Sequence, residues 1–137
     1  MNTFRLHIFA AERPFYEGEC ESLIVPASDG AMGFQAHHRN VIAAVFPGIL
    51  QFRAPGQPTQ LVAVSRGMLK VENNEMLILV ESAERPEEIE PRRAQREADA
   101  AKEALLQKKS LQDYKSAEAR LARALTRLRI QTQKPFI

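Results

Sequence analysis

The chain has 137 residues, 45% apolar and 26% charged, which suits one ordinary domain or a small domain with an appendage and is too apolar for a wholly disordered protein. A formal net charge of +2 and a pI near 8.9 do not by themselves imply nucleic acid. The near-neutral sum hides an asymmetry: residues 1–84 hold six Lys/Arg against nine Asp/Glu, about −3, while residues 85–137 hold thirteen against eight, about +5.

Cys20 is the only cysteine, so an intrachain disulfide and a cysteine-based zinc site are excluded, and a reducing, cytoplasmic setting fits. No apolar run approaches the roughly 18 residues of a membrane span. Met1 to Ile8 alternates polar and apolar residues instead of forming a signal peptide's apolar block, so the chain reads as soluble.

Up to residue 84 the hydrophobic period is two. Phe4, Leu6 and Ile8 alternate with Arg5 and His7, as in a strand with one face toward a core. Further β-rich runs follow at Ser22 to Pro26, Val41 to Val45, Gly48 to Arg53, Gln60 to Ser65, Met68 to Glu72 and Glu75 to Glu81. Turn signals separate them at Asp29-Gly30, Pro47-Gly48, Pro55-Gly56-Gln57-Pro58 and Asn73-Asn74. Asn73-Asn74 predicts a tight hairpin, because Asn tolerates positive φ. Glycines from Asp29-Gly30 to Gly33 lack the spacing and following helix of a phosphate loop, so the segment reads as a turn. Many short strands with regular turns predict an all-β sandwich or barrel. Such a unit buries only a marginal core, which favours life in a complex.

At Ala83-Glu84-Arg85-Pro86-Glu87-Glu88-Ile89 β-branched residues nearly vanish, and Ala, Glu, Lys, Arg, Gln and Leu dominate as far as Ile130. Pro91 suits a first helical position, with acidic residues just before it. Ala94, Ala98, Ala101 and Leu105 form one narrow stripe. Lys108-Lys109 suits a last turn, and Ser110 with Asp113 resembles the cap of a second helix striped by Tyr114, Ala117, Leu121, Ala124 and Leu128. The fold class predicted is an all-β N-terminal sandwich, residues 1–85, followed by an α-helical antiparallel hairpin, residues 86–137. Alanine-lined stripes bury little, so detachment is cheap, and two helices of about 18 and 20 residues laid end to end reach roughly 55–60 Å.

Phe15-Tyr16-Glu17-Gly18-Glu19-Cys20-Glu21-Ser22-Leu23-Ile24-Val25-Pro26, with Asp29-Gly30-Ala31-Met32-Gly33, resembles the opening of bacterial F-type ATP synthase epsilon subunits. Pro47-Gly48-Ile49-Leu50, Val64-Ser65-Arg66-Gly67-Met68-Leu69-Lys70-Val71 and Ala83-Glu84-Arg85-Pro86-Glu87-Glu88-Ile89-Glu90 match later landmarks in order and spacing. The resemblance covers about residues 3 to 130. It implies a non-catalytic central-stalk subunit, coupling proton- or sodium-driven rotation to ATP synthesis. The sandwich would bind the gamma subunit and the c-ring at the cytoplasmic face of the membrane, with membrane association only through the complex. The arm would fold on the sandwich or extend to acidic segments of the beta subunits and oppose ATP hydrolysis. Two departures stand out: Gln35-Ala36-His37 replaces Leu-Pro-Gly before His38, and Arg66 replaces a Gly.

Arg120, Arg123, Arg127 and, less closely, Arg129 share one helix face, which is either an ordinary solvated face or, given the resemblance, a contact for an acidic partner. Arg120, Arg123, Arg127 and His38 are the candidate partner-binding residues. Ile89-Glu90-Pro91-Arg92-Arg93-Ala94 is similar to the motif through which some bacterial epsilon subunits bind ATP, with Glu90 in place of Asp and Pro91 removing a backbone donor. The resemblance implies a regulatory ATP site of Ile89, Glu90, Arg93, Ala94, Arg123 and Arg127, guanidinium being well matched to phosphate; the alternative is plain helix-start chemistry. No cofactor is otherwise required. His37 and His38, adjacent in an extended segment, point to opposite faces and do not share a metal with His7. Ser28, Ser65 and Cys20 have no triad around them, so no catalytic residue is expected. Glu12, Glu17, Glu19 and Glu21 suit a solvated strand edge or polar contact with gamma. The competing reading is a free-standing β-domain whose basic hairpin engages nucleic acid or another acidic surface; it lacks aromatic platforms and interleaves Glu97, Asp99, Glu103 and Glu118 among its cations.

Overall fold

A computed structural model describes residues 2–11, 13–107 and 110–135. In chain order the elements are β1 (Phe4–Ala10), β2 (Arg13–Cys20), β3 (Ser22–Ala27), β4 (Gly30–Gln35), β5 (Val41–Val45), β6 (Gly48–Arg53), β7 (Gln60–Val64), β8 (Gly67–Glu72), β9 (Glu75–Val80) and β10 (Ala83–Glu84). A short 3-10 turn at Pro86–Glu88 then leads into α1 (Pro91–Gln107) and α2 (Leu111–Ile130). Among the described residues the strands make two five-stranded sheets, ordered β2-β1-β9-β8-β5 and β10-β7-β6-β3-β4. All pairings are antiparallel except β1 with β9, which run parallel from Arg5↔Glu75 to Ala10↔Val80. The fold is the β-sandwich followed by a helical hairpin that the two hydrophobic periods predict.

Alternation places Phe4, Leu6 and Ile8 of β1, Leu69 and Val71 of β8, and Met76 and Ile78 of β9 between the sheets. They meet Leu23, Val25, Leu50, Phe52 and Val62 of the second sheet. The hairpin at Asn73-Asn74 forms as the sequence predicts: both residues have positive φ, 51° and 63°, and Glu72 faces Glu75 across the turn. Cys20 is buried in this core, its thiol donating to the Ser22 carbonyl at 3.1 Å. Burial pushes its ionisation up, against the opposing pull of backbone hydrogen bonds. It therefore sits as a protonated core thiol, not as a nucleophile.

Three strands depart from the sequence reading: β2, β4 and the two-residue β10. β2 carries Pro14, Gly18 and two glutamates, Glu17 and Glu19, and β4 carries Gly30 and Gly33, compositions that suppress strand signals. Both lie at sheet edges, where a missing donor or a charge is tolerated. The turn predicted over Asp29-Gly30 to Gly33 is thus confined to its first residues, since Ala31 to Gly33 already pair with Pro26 to Ile24. The acidic run Glu17, Glu19 falls on the outer strand, as a solvated edge requires, while Glu12 lies outside the described residues. His37, one of the noted departures before His38, adopts φ 65° and donates its N–H to Asn74 Oδ1 at 2.7 Å, so the turn has a left-handed backbone there.

Gly67 stands opposite Val80, and a Cβ there would crowd the backbone of Leu79 and Val80. Gly67→Ala is expected to cost about 1–3 kcal/mol, read as a lower urea midpoint at unchanged slope; an unaltered midpoint would mean that β9 shifts freely.

The arm begins as read. Pro91 opens α1, Glu90 accepts the N–H groups of Arg92 and Arg93 at 3.2 and 3.1 Å, and Ser110 Oγ accepts the Asp113 N–H at 3.0 Å. Ala94, Ala98 and Ala101 of α1 and Ala117 and Ala124 of α2 are buried along the facing stripes, whereas Tyr114 stays largely exposed. The last turn expected at Lys108-Lys109 lies outside the described residues. α2 crosses the outer face of β6 and β7, which leaves Gly48–Phe52 buried on both sides. Its last residues join a second, smaller cluster of Ile49, Ala63, Ile89, Ala94 and Ile130, separate from the main core.

Candidate functional site at the arm joint

The sandwich's last strand, the start of α1 and the end of α2 converge on a cleft of about 220 Å³. The motif residues set its geometry. Ile89 and Ala94 are buried in the small cluster and anchor the linker, while Glu90 spends its carboxylate on the first N–H groups of α1. Arg127 reaches into the cleft from α2. Its Nε donates to Glu84 Oε1 at 2.7 Å and its Nη1 to Glu97 Oε2 at 2.7 Å. Arg93 donates to Glu97 Oε1 at 3.3 Å from the same helix.

Of the six residues implied for an ATP site, the fold brings Ile89, Glu90, Arg93, Ala94 and Arg127 to this cleft and leaves Arg123 out of its lining. The charge facing inward is dominated by Glu84, Glu88, Glu90 and Glu97 against Arg93 and Arg127. In the folded arm the cleft is therefore smaller than the usual 300–1,000 Å³ ligand pocket and acidic on balance. Glu84 and Glu97 did not stand out in the sequence; a pairing 43 residues apart leaves no local trace, although the Arg93 and Glu97 spacing of four marks one half of it.

The arginine stripe on α2 is not uniform. Arg120 is exposed and Arg123 half-buried, and neither forms an ion pair among the described residues. Arg129 lies beside Gly48, its Nη2 about 3.5 Å from where a Cβ would stand. His38 sits apart on the loop between β4 and β5, its ring tilted 58° against that of Phe34 at 4.8 Å between centroids, with Nδ1 at 2.8 Å from the Arg39 carbonyl.

A second surface was not singled out from sequence. Ile42, Phe46, Met68 and Leu79 are exposed on or beside β5, β8 and β9, and the register places Ala44, Met68 and Leu79 in one row across the outer face. With Pro47, Arg66 and Glu81 the patch borders a hollow of about 590 Å³. The available signal was the unbroken apolar run in β5 and β9, since strands apolar on both faces expect cover on both. Among the described residues no helix is long and apolar enough to cross a membrane.

Known proteins match this architecture along its length. The family described as "ATP synthase, Delta/Epsilon chain, beta-sandwich domain" matches residues 3–86, and "ATP synthase, Delta/Epsilon chain, long alpha-helix domain" matches residues 87–131. The chain is 38% identical over 128 residues to the ATP synthase epsilon chain of Ruminiclostridium cellulolyticum, covering 93% of this chain and 95% of that one. It is 39% identical over 132 residues to that of Caldanaerobacter subterraneus, covering 96% and 95%. In fold it matches a chain of the Euglena gracilis mitochondrial ATP synthase, with a TM-score of 0.81 at 18% identity over 96% of this chain and 82% of that one. A chain of the central stalk and c-ring of the Tetrahymena thermophila mitochondrial enzyme gives 0.65 at 12% identity, over 93% and 96%. Sandwich, hairpin and sequence agree from end to end: the chain belongs to the family of bacterial F-type ATP synthase epsilon subunits.

Proposed function

We propose that this epsilon subunit couples rotation of an ion-driven ring to ATP synthesis and that its arm, when released, opposes ATP hydrolysis. The observation that carries the reading is the arm's own construction: among the described residues, a cationic α2 is held to the sandwich by one small apolar cluster and one ion-pair group. The sandwich is the part that stays on the rotor, against the gamma subunit and the c-ring. The exposed row of Ala44, Met68 and Leu79, flanked by Ile42 and Phe46, supports a gamma contact, because an apolar patch beside a hollow is costly to leave in water. The released arm offers Arg120, Arg123 and Arg127 to acidic segments of the beta subunits. Association with the cytoplasmic face of the membrane then comes through the complex alone.

Regulatory ATP at Ile89, Glu90, Arg93, Ala94, Arg123 and Arg127 requires a different arrangement of the joint. Polyphosphate would first have to free Arg127 from Glu84 and Glu97 and overcome the carboxylates around it. The full-length family match leaves the free-standing nucleic-acid module without support.

The test is ATP hydrolysis by the assembled synthase carrying Arg123→Ala together with Arg127→Ala. Hydrolysis should rise roughly threefold or more, and the gain should shrink at high salt, where the charged contact is already screened. Unchanged hydrolysis at low salt would remove the inhibitory role assigned to these arginines.

A further inference from the structure

We infer that Glu84 and Glu97 form a latch that hides Arg127, so that docking of the arm and use of Arg127 by an acidic partner exclude each other. This rests on the arm reading above and adds to it the residues that decide when the cation becomes available.

The geometry is that of a three-element clasp. Glu84 belongs to β10, held in register against Ala63 of β7; Glu97 sits in the second turn of α1; Arg127 sits near the end of α2. One guanidinium spans both carboxylates through separate nitrogens, each at 2.7 Å, the shortest ion pairs among the described residues. Arg127 and Glu84 are 24% and 26% exposed in their side chains, so water screens this pair less than the open ones at Arg66–Glu81 or Lys70–Glu72. Arg93 on Glu97 completes a group of two anions and two cations.

Removing α2 breaks that balance on both sides of the joint. Glu84 and Glu97 lose the cation they share, and Arg127 is left to find another carboxylate. A carboxylate on the beta subunits would compete for the same guanidinium with the same donors. Each contact therefore opposes the other, and the strength of the latch sets how much of the time the arm presents its cations. Neutralising either glutamate should favour the open arm while leaving every arginine in place.

Hydrogen exchange on the full chain at low ionic strength tests this directly. Glu84→Gln and, separately, Glu97→Gln should each speed exchange of the α2 amides near Ile130 by about three- to tenfold. Amides of β8 and β9 should be unaffected. The double variant should exceed either single by less than the product of the two, because both act through Arg127. Wild-type exchange in α2 for both single variants would overturn the latch. In the assembled synthase Glu84→Gln should deepen inhibition of hydrolysis, the opposite sign to loss of Arg127. Faster α2 exchange with unchanged hydrolysis would support the latch and count against the inhibitory reading; slower hydrolysis with unchanged exchange would count against the latch.

Discussion

Phe52→Ala should lower the stability of the sandwich by about 3–5 kcal/mol, a large share of what a domain of this size holds. Phe52 is fully buried in β6, opposite Leu23 of β3 on one side and Gln60 of β7 on the other. Its ring lies 4.5 Å from that of Tyr16, on β2 of the other sheet, so it ties the two layers together. Neighbouring strands fix the backbone on both flanks, which limits how far the core can collapse into the space left behind. Urea unfolding followed by far-UV circular dichroism reads the change as a lower midpoint. A loss below about 1 kcal/mol would mean that the core repacks around the gap.

Ile130→Ala should instead act on the arm. Ile130 is the largest α2 side chain in the small cluster with Ile49, Ala63, Ile89 and Ala94, and it is 2% exposed. Its truncation should weaken docking by about 2–5 kcal/mol, because the alanine stripes between the helices bury too little to compensate. Helical signal should then be lost at lower urea than before, ahead of a sandwich transition whose midpoint is unchanged. One shared transition, displaced as a whole, would show that the arm is part of the sandwich's own cooperative unit.

Much of the architecture was legible because two periods write it plainly. Phe4, Leu6 and Ile8 can bury one face only as a strand, and Ala94, Ala98 and Ala101 can do so only as a helix. The Asn73-Asn74 pair set the hairpin because few residue pairs accept two positive φ values in succession. The strands the sequence did not announce, β2, β4 and the short β10, are edges, and an edge needs neither alternation nor freedom from Pro and Gly. At the joint the sequence marked Arg93 and Arg127 but not the carboxylates that hold them, because Glu84 faces Arg127 only once β10 has paired with β7 and α2 has crossed it. Long-range charge pairing is a property of the packed state and leaves no period in the chain. His37 shows the converse: a non-glycine residue takes a left-handed backbone, φ 65°, that its residue type does not announce.

The parallel ladder between β1 and β9 orders events during synthesis. Arg5 waits for Glu75, so an interior strand of the first sheet stays half-paired until most of the sandwich has left the ribosome. The final strand of the first sheet thus seals its first, and the helices that emerge afterwards arrive at a platform already closed. For the helical arm this order is protective, because its cationic helix meets a finished surface rather than the sticky interior of a half-made one.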